Sequence, residues 1–580
     1  MVKLYPHQEE AVAWMRAAER RPRMVPDQPH GGILAHAMGL GKTMTMLSFI
    51  RAQESGRTLV VCPKSLLLQW DVEAKRAGWG APHTVTTYHG SKRRMPEWVE
   101  GVHQLVLTTF DIVRLDHTRG RVLHASAWDR VVLDEAHRIC EQSSKTARAI
   151  QALRARNRWC ITGTPFKNGM SDLTALSRFL MVAPYCNMSW WRWYGNSVAK
   201  LREWRRLFLH LCDKSVLTLP PMNHHVLDVV LSPAEQFLDT QLGEAQWKVR
   251  VDDREDDTTL LSTTINHDQH ELLRILRQRQ AANHPMLLTP LDAMQHLVHA
   301  HPTPQNMCEA CGTHPVVVSS TPCTTHGLCV RCGDEPVCAV CIAHTLRDGT
   351  GKGWMHSAKT RALWTYLKDI AHVKKTKTKV VIFSQWTTCL DLLGWMLDHE
   401  DVGHARYDGR VNTTEERERV ISYFRETPKC QVLLTSLGAG GEGVNLTFAS
   451  HVVIMEPYWN LAVEQQAIDR LHRIGQSDVT HVVRLHVRDS VEKWVQSIQV
   501  RKSNELQRLL FEKVVNVEGG SSTKGEKTGG CGQQCGSKRP FTQRLRPQFE
   551  ATYDDGFNEG DGRGCLGAFL MRPSKQIKVQ

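Results

Sequence analysis

The stretch that decides the fold is GGILAHAMGLGKT, residues 31–43. Its apolar start predicts a buried strand, its glycines predict a tight turn, and the MTMLSFI that follows predicts a helix. In such a loop Gly39 and Gly41 let backbone N–H groups point at phosphate oxygens, and the helix N-terminus adds positive charge. Lys42 would then reach the β and γ phosphates of a nucleotide, and Thr43 would hold Mg²⁺.

One residue departs from the strict phosphate-loop pattern. His36 stands where that pattern has its first glycine. The alternative to nucleotide binding is a glycine-rich turn that packs against its own sheet. The rest of the chain decides between the two interpretations.

Length and composition restrict the choice of function. A chain of 580 residues predicts about three to five domains. The net charge of +13 favours a polyanionic partner, with nucleic acid as the first candidate and a merely basic protein as the alternative. The N-terminus lacks the apolar segment of a signal peptide and no run of 18 apolar residues occurs, so we expect a soluble intracellular protein without a membrane partner.

Short apolar runs recur after the glycine turn and end in polar or small residues. They are TLVVCP (58–63), QLVLTTF (104–110), RVVLDEAH (130–137) and RWCITGTP (158–165). This spacing predicts alternating strands and helices with a parallel sheet, in which ligands lie at the carboxyl ends of the strands. Asp134 could there bind Mg²⁺ through water, and Glu135 could take the proton from the attacking water.

These segments resemble a known family. Residues 3–180 contain LYPHQ, GLGKT, VVCPKSLLLQW, YHG, LTTFD, DEAHRI, SKTARA and RWCITGTPFKN, in that order. They resemble the first ATPase lobe of the Swi/Snf-type branch of superfamily 2 helicase-like proteins, which are double-stranded DNA translocases. The resemblance implies that Gln8 contacts adenine and that His137 couples hydrolysis to DNA. It also implies DNA or coupling roles for Lys64, Ser65, Thr109, Thr162 and Thr164.

The resemblance has one departure before the glycines. Similar proteins usually read Ala-Asp-Glu-Met there, and this chain reads Ala35-His36-Ala37-Met38. Neither missing acid is expected to bind metal or act as a base. We therefore retain ATPase activity as the expectation, with a re-tuned nucleotide site as the alternative.

Seven cysteines and one histidine crowd into residues 308–341 as four close pairs. Zinc takes four nitrogen or sulfur ligands in a tetrahedron, and pairs at this spacing supply them, so two Zn²⁺ ions are expected. The order of the ligands resembles a RING finger. Its interleaved wiring would put Cys308, Cys311, Cys329 and Cys332 on one ion, and Cys323, His326, Cys338 and Cys341 on the other.

The activity of this finger stays open at the level of sequence. Many RING domains recruit a ubiquitin-conjugating enzyme through an apolar residue between the first two cysteines and an arginine after the last. Those places hold Glu309-Ala310 and Ile342, which weakens that prediction. A structural or protein-docking module is the alternative.

The alternating pattern resumes at Lys379, and residues 355–500 resemble the second lobe of the same family. In EQQAIDRLHRIGQ, Gln466, Arg470 and Arg473 recur at helical spacing, so they are predicted to share one face of a helix. An arginine held across a cleft from the γ-phosphate stabilises the charge that develops in the transition state, and Arg470 and Arg473 are the candidates. In LTSLGAGGEGVNL, Ser436, Gly441 and Asn445 would line the path between nucleotide and DNA, with Gly441 and Gln466 on the nucleotide side. Gln385 and Trp386 end a strand where DNA contact is expected.

The predicted fold is therefore α/β, with two RecA-like parallel-sheet lobes, helical protrusions and a small zinc-bound RING insert. The predicted domains are a first lobe (1–183), helical protrusions with the entry to the second lobe (184–300), the RING finger (301–345), the second lobe (355–505) and a flexible basic tail (510–580).

The predicted function is an ATP-driven translocase on double-stranded DNA that remodels or displaces DNA-bound protein such as nucleosomes, or remodels forks. One alternative is a RING-type ubiquitin ligase, with a ubiquitin-conjugating enzyme as partner, that the ATPase domain targets to DNA. The other is a DNA-binding scaffold that does not hydrolyse ATP. The resemblance implies a nuclear location or a viral DNA replication compartment. The sequence leaves the biological target, the pathway, the oligomeric state and the host open.

Overall fold

The computed structural model of the chain describes residues 3–21, 30–53, 56–120, 122–141, 143–163, 170–194, 197–244, 267–289, 291–299, 307–310, 338–346, 354–373, 378–411, 413–440 and 444–511. One compact unit runs to Leu510, and both sheets lie in it. A second unit, Phe511–Ile577, lies outside the described residues apart from its first residue. The predicted flexible tail (510–580) therefore lies almost wholly outside them as well.

The first sheet has seven parallel strands in the order β3-β4-β2-β5-β6-β1-β7. The five inner strands are mostly apolar and buried, as the sequence predicts for strands covered on both faces. The two edge strands are half-buried or exposed along most of their length. The strands are β1 (His30–His36), β2 (Gly56–Cys62), β3 (Thr84–Thr87), β4 (His103–Thr109), β5 (Ala127–Asp134), β6 (Arg154–Ile161) and β7 (Leu209–Cys212).

Helices cover both faces of this sheet. Val131 and Val132 are neighbours on β5 but belong to separate apolar clusters, because successive side chains of a strand point to opposite faces. The helices are α1 (Pro6–Arg20), α2 (Lys42–Arg51), α3 (Leu67–Arg76), α4 (Phe110–Thr118), α5 (Val122–Ala125), α6 (Lys145–Gln151), α7 (Met170–Phe179), α8 (Met188–Tyr194) and α9 (Val198–Phe208).

The second sheet has six parallel strands in the order β10-β11-β9-β12-β13-β8. Val381 and Ile382 of β9 again belong to separate apolar clusters, so both faces are covered here too. The strands are β8 (Met222–Val229), β9 (Val380–Ser384), β10 (Gly403–Tyr407), β11 (Cys430–Ser436), β12 (His451–Ile454) and β13 (Thr480–Val487).

The remaining helices belong to the part of the chain after β7. They are α10 (Pro233–Glu244), α11 (His267–Asn283), α12 (Leu291–Val298), α13 (Ala339–Leu346), α14 (Ala358–Val373), α15 (Thr387–His399), α16 (Thr414–Glu426), α17 (Leu437–Gly440), α18 (Leu461–Ile468) and α19 (Val491–Phe511). Within the described residues, none of the helices combines the length and apolar character that crossing a membrane demands.

The predicted fold class is confirmed in its main part, since the chain forms two parallel-sheet α/β domains. Each sheet also takes one strand from the segment predicted as helical protrusions with the entry to the second lobe (184–300), because β7 pairs with β1 and β8 pairs with β13. The chain crosses from one sheet to the other between β7 and β8. The core of the predicted RING insert, residues 311–337, lies outside the described residues.

Candidate active site

The glycine loop, residues 36–43, connects β1 to α2. Gly39 and Gly41 have φ values of 87° and 73°, in the left-handed region that a Cβ disfavours. Gly41 is the N-cap of α2 and has no side chain to cap the helix, so the first N–H groups of α2 can serve an anion. The Nζ of Lys42 donates to the carbonyl oxygens of His36 at 2.9 Å and Ala37 at 3.3 Å. The loop thus wraps around the ammonium group, and Thr43 lies beside it in the first turn of the helix.

Two acids follow the buried strand β5. Asp134 ends the strand, and one of its carboxylate oxygens accepts a hydrogen bond from the indole N–H of Trp70 at 2.8 Å. Its other oxygen accepts from the backbone N–H of Glu135 at 2.9 Å. Glu135 has a φ of 51°, which is uncommon for a residue with a Cβ and marks local strain. His137 Nδ1 lies 3.3 Å from its carboxylate.

The electrostatic environment shifts the pKa values of the two acids in opposite directions. Burial and the neighbouring charge of Glu135 raise the pKa of Asp134. Burial also acts to raise the pKa of Glu135, but His137, Lys42 and Arg470 together outweigh it and lower that pKa. Burial lowers the pKa of Lys42, and the two carboxylates oppose this. Glu135 is thus held ionised, as a group that is to accept a proton must be.

Gln8 packs against the glycine loop from α1. Its side-chain oxygen accepts from the backbone N–H of Tyr5 at 3.0 Å, and its amide nitrogen donates to the carbonyl of Leu40 at 3.2 Å. A cavity of about 490 Å³ opens beside it and beside the glycines. Sequence reasoning did not select three residues of α3 that line this cavity, because they carry no motif of their own: Gln69, Glu73 and Arg76.

The helix α18 ends before the two candidate arginines. Gln466 lies in it and is buried, whereas Arg470 and Arg473 lie in turns beyond it. The prediction that all three share one helical face is therefore wrong. The backbone carbonyl of Arg470 accepts from the N–H of Leu446 at 3.0 Å, so a loop takes a carbonyl that a further helical turn would need.

The arginine segment, residues 469–473, lies against the glycine loop. The Nη2 of Arg470 lies 3.9 Å from the Sδ of Met38. A Cβ built on Gly39 would lie 2.7 Å from the Cβ of Arg473, which is closer than real side chains approach. The structure thus brings the two arginines to the same cleft as the lysine and the acids, although Arg470 lies 428 positions after Lys42 and 335 positions after Glu135 in the sequence.

His36 takes an unexpected position. It is fully buried, and its Nε2 shares a hydrogen bond with Nδ1 of His210 on β7 at 2.9 Å. Burial, followed by the charges of His210, Lys42 and His7, lowers the pKa of His36 to about 3. The residue that replaces an acid of the family pattern is therefore a neutral link between β1 and β7.

The candidate DNA residues of the first sheet lie at strand ends. Lys64 and Ser65 form a short 3-10 helix directly after β2. Thr109 is buried at the end of β4, and its hydroxyl caps α4 by accepting the N–H of Ile112 at 3.4 Å. Thr162 is fully buried after β6. Thr164 lies outside the described residues.

The candidates of the second sheet divide into two groups. Gln385 and Trp386 follow β9, and the Trp386 ring lies 5.2 Å from the guanidinium of Arg279. Ser436 ends β11, and its hydroxyl accepts the backbone N–H three residues further on. Asn445 instead lines the cavity beside Gln8. Gly441 lies outside the described residues.

A buried polar network supports the Gln385 loop, and sequence reasoning missed it. The carboxylate of Glu456 accepts hydrogen bonds from the Ser384 hydroxyl, the Gln385 backbone N–H and the Asn283 amide. Burial raises the pKa of Glu456 to about 7. Lys359, which is fully buried, donates to the side-chain oxygen of Asn283 at 2.8 Å. No local pattern marks these residues, because they come from four separate segments.

Three of the eight predicted zinc ligands are described. Cys308 and Cys338 are buried in the same apolar cluster as Ile382 of the second sheet, and Cys341 is exposed. Thiols at these places suit zinc, which takes sulfur ligands. The described residues contain no group of three or more metal-binding side chains. The other ligands lie outside them: Cys311, Cys323, His326, Cys329 and Cys332.

Two domain families match this sequence. Residues 7–287 match the SNF2-related domain, and residues 359–475 match the helicase conserved C-terminal domain.

Individual relatives span different shares of the chain. It is 31% identical to DNA repair protein RAD5B of Arabidopsis thaliana, over 84% of this chain and 46% of that protein. It is also 31% identical to the probable global transactivator of Orgyia pseudotsugata multicapsid polyhedrosis virus, over 89% of this chain and 93% of that protein. A solved Sulfolobus solfataricus SWI2/SNF2 ATPase core in complex with dsDNA is 20% identical, with a TM-score of 0.35, over 88% of this chain and 98% of that one. The chain spans about half the length of the DNA repair proteins that it matches.

Proposed function

We propose that this chain, which belongs to the SNF2-related family of helicase-like proteins, is a DNA-dependent ATPase that moves along double-stranded DNA. The observation that carries the proposal is the meeting of Lys42, the acid pair and two arginines in one cleft. The lysine lies after β1 of the first sheet, and the acids lie at the end of β5 of that sheet or directly after it. The arginines lie between β12 and β13 of the second sheet. A site divided in this way can couple nucleotide turnover to relative movement of its two walls.

The proposed hydrolysis follows from the positions of these groups. The glycine loop and Lys42 bind the β and γ phosphates, and Gln8 contacts adenine. Glu135 accepts the proton of the attacking water, since its carboxylate is held ionised. Arg470 and Arg473 stabilise the negative charge that develops on the transferred phosphoryl group.

A bound magnesium ion would supply positive charge that offsets the charge of the phosphates in this chemistry. The carboxylate of Asp134 and the hydroxyl of Thr43 are oxygen donors, which Mg²⁺ prefers. Trp70 and the Glu135 backbone orient that carboxylate. Asp134 and Thr43 would therefore hold the ion. Gln466 and Gly441 are proposed to contact the nucleotide as well.

The proposed partner is double-stranded DNA, gripped through its phosphates. Lys64 and Ser65 at the end of β2, and Gln385 and Trp386 at the end of β9, lie on the strand-end edges of the two sheets. The charge of +13 supports a polyanionic partner. Contacts with phosphates carry no base sequence, so binding is indifferent to sequence and weakens with salt. Thr109, Thr162, Thr164, His137, Ser436 and Asn445 are proposed to link the DNA and nucleotide sides.

The proposed outcome is remodelling or displacement of DNA-bound protein, or remodelling of forks. The relatives include DNA repair proteins and a viral transactivator, which supports a function on DNA in a nucleus or a viral replication compartment. The test is ATP-dependent displacement of a third strand from triplex DNA. The wild type displaces it and Lys42→Ala does not; a wild type that leaves the triplex intact contradicts translocation.

A second function concerns the cysteine-rich insert. We infer that it binds two zinc ions, and that RING-type ubiquitin ligase activity is the function to test there. Burial of Cys308 and Cys338 in the second sheet's core supports a finger that is fixed to this lobe. If it is a ligase, ubiquitin chain formation survives Lys42→Ala and is lost in Cys308→Ala. If chains do not form with the wild type, the finger is structural or docks a protein.

A further inference from the structure

One chain segment touches both walls of the cleft. This crossover strap, residues 209–221, consists of β7 and the chain that leads from it to β8. On the side of the glycine loop, β7 pairs with β1, and the backbone N–H of Ala37 donates to the carbonyl of Cys212 at 2.8 Å. The hydrogen bond between His36 and His210 adds a side-chain link to the same pair of strands. The strap is therefore fixed to the strand that enters the glycine loop.

The other end of the strap contacts the arginine segment. The Nζ of Lys214 donates to Oδ1 of Asp469 at 2.7 Å and also to the backbone carbonyl of His472. The imidazole Nε2 of His472 in turn donates to the carbonyl of Pro220 at 2.9 Å. Lys214 and Pro220 of the strap thus make three hydrogen bonds with Asp469 and His472, which lie before and after Arg470 in the chain.

These contacts are placed where the arginine segment needs support. The segment lies beyond the end of α18, and its backbone is held by a mixture of i→i−3 and i→i−4 turn hydrogen bonds rather than by a continuous helix, as in the bonds from Arg470 N–H to the Ala467 carbonyl and from His472 N–H to the Ile468 carbonyl. The Lys214 and Asp469 side chains are 20% and 6% exposed. An ion pair so shielded from water is screened less than one at the surface, and its hydrogen bond is charge-assisted. Gln465 of α18 donates to the same Asp469 oxygen at 2.7 Å.

We propose that Lys214 is a positioning residue, which holds the arginine segment so that Arg470 and Arg473 face the glycine loop. It acts through Asp469 and the His472 carbonyl and does not touch the nucleotide. Because the strap contacts both segments, a movement of the glycine loop also moves the arginine segment, and a movement of the arginine segment also moves the glycine loop. The effect on turnover rests on the proposed ATPase function, whereas the effect on the arginine segment does not.

The first test measures turnover in the full-length chain. Lys214→Met keeps the length of the side chain and removes its charge. We expect it to lower kcat of DNA-stimulated ATP hydrolysis about tenfold with KM for ATP changed less than about twofold, since misplaced arginines cost transition-state stabilisation. Lys214→Arg keeps the charge and restores at least about half of the rate. The matched control is Lys200→Met, which breaks an exposed ion pair with Glu203 on α9 and leaves kcat unchanged.

A double-mutant cycle tests whether the loss of turnover in Lys214→Met comes from its interaction with Asp469. The variant that combines Lys214→Met with Asp469→Asn should lose less activity than the product of the two single effects, because both changes remove the interaction between Lys214 and Asp469. The proposal is overturned if Lys214→Met keeps kcat within about twofold of wild type, or if the double variant loses the product of the two single effects.

A second measurement does not need activity. Amide hydrogen exchange of residues 461–476 reports how firmly the arginine segment is held. We expect exchange there to be at least about tenfold faster in Lys214→Met than in wild type and unchanged in Lys200→Met. If the wild type hydrolyses no ATP, the proposed function fails but this measurement still decides on the strap. Equal exchange in Lys214→Met and wild type overturns the positioning role.

Discussion

The guanidinium Nη2 of Arg470 lies 3.9 Å from the sulfur of Met38, so an arginine from the side of the second sheet reaches the glycine loop of the first. The same arginine contributes to the lowered pKa of Glu135. The charge of Arg470 therefore acts on the acid pair from the opposite wall of the cleft.

Arg470→Ala tests this relationship. Hydrolysis should fall by at least about a hundredfold, since an arginine that stabilises the phosphoryl transition state has effects of that size or larger. Nucleotide binding should change far less, because the glycine loop and Gln8 are untouched. Steady-state kinetics with DNA and titration with a fluorescent ATP analogue measure the two effects. Arg488→Ala, which removes an exposed ion pair with Asp228, is the control, and a rate for Arg470→Ala that equals this control would disprove the role.

Trp70→Phe tests the orientation of Asp134. The change removes the indole donor at 2.8 Å and leaves the buried carboxylate oxygen without it, so we expect a loss of about 1–3 kcal/mol in stability. We also expect a higher Mg²⁺ concentration for half-maximal hydrolysis. Trp79→Phe is a matched control, because Trp79 is buried in the same cluster and its indole N–H has no partner within the described residues. An unchanged Mg²⁺ requirement in Trp70→Phe contradicts the assignment.

His36 makes stability depend on pH. Its pKa is about 3 in the folded chain and ordinary in the unfolded chain, so the unfolded state binds the proton more readily. The neutral histidine thus stabilises the fold fully above about pH 6.5, and this stability declines as the pH falls toward the folded pKa, by about 1.4 kcal/mol per pH unit. Urea unfolding of wild type and His36→Gln from pH 7.5 to 5.5 measures it. The wild type should lose more stability than the variant; parallel losses would show that His36 has no such effect.

Glu456→Ala tests the buried network behind the Gln385 loop. Removal of one member of a buried, hydrogen-bonded charge network costs about 3–5 kcal/mol, here because Ser384, Gln385 and Asn283 lose their shared acceptor. Lys493→Ala is the control, since its ion pair with Asp489 is exposed. Urea unfolding measures both. Equal stability of the two variants would contradict a supporting role for the network.

The zinc prediction is tested by metal content. The purified chain should contain two zinc ions, and Cys308→Ala should contain one, since the predicted wiring assigns that cysteine to a single ion. Cys389→Ala, in the same apolar cluster but outside the cysteine pattern, should retain both. Elemental analysis after dialysis gives the counts. A wild-type chain without zinc, or a Cys389→Ala chain that loses it, would rule out the predicted sites.

The parts of the site that sequence predicts are those built from contiguous residues. The glycine loop and the Asp134-Glu135 pair each occupy one strand and the turn after it, and the residue order fixes their local geometry. The hydrogen bonds from Trp70 to Asp134 and from Lys214 to Asp469 span 64 and 255 residues. They depend on how the sheets are ordered and joined, which no local pattern records.

The helical spacing of Gln466, Arg470 and Arg473 shows that a local pattern can also predict a helix that does not form. The periodicity is real, but the helix ends at Ile468, and beyond it the Arg470 carbonyl accepts a tertiary hydrogen bond from the N–H of Leu446. Thr109 shows a further limit: a threonine after a strand also suits a helix cap, and here its hydroxyl caps α4.

The most direct test of the central claim is the rate of ATP hydrolysis with and without long duplex DNA, for the wild type and Glu135→Gln. If the two walls of the cleft form one ATPase site, DNA raises the rate of ATP hydrolysis by the wild type. Glu135→Gln then binds ATP but hydrolyses it at least about a hundredfold more slowly, as expected when a general base is lost. Equal rates for the two proteins would contradict the account.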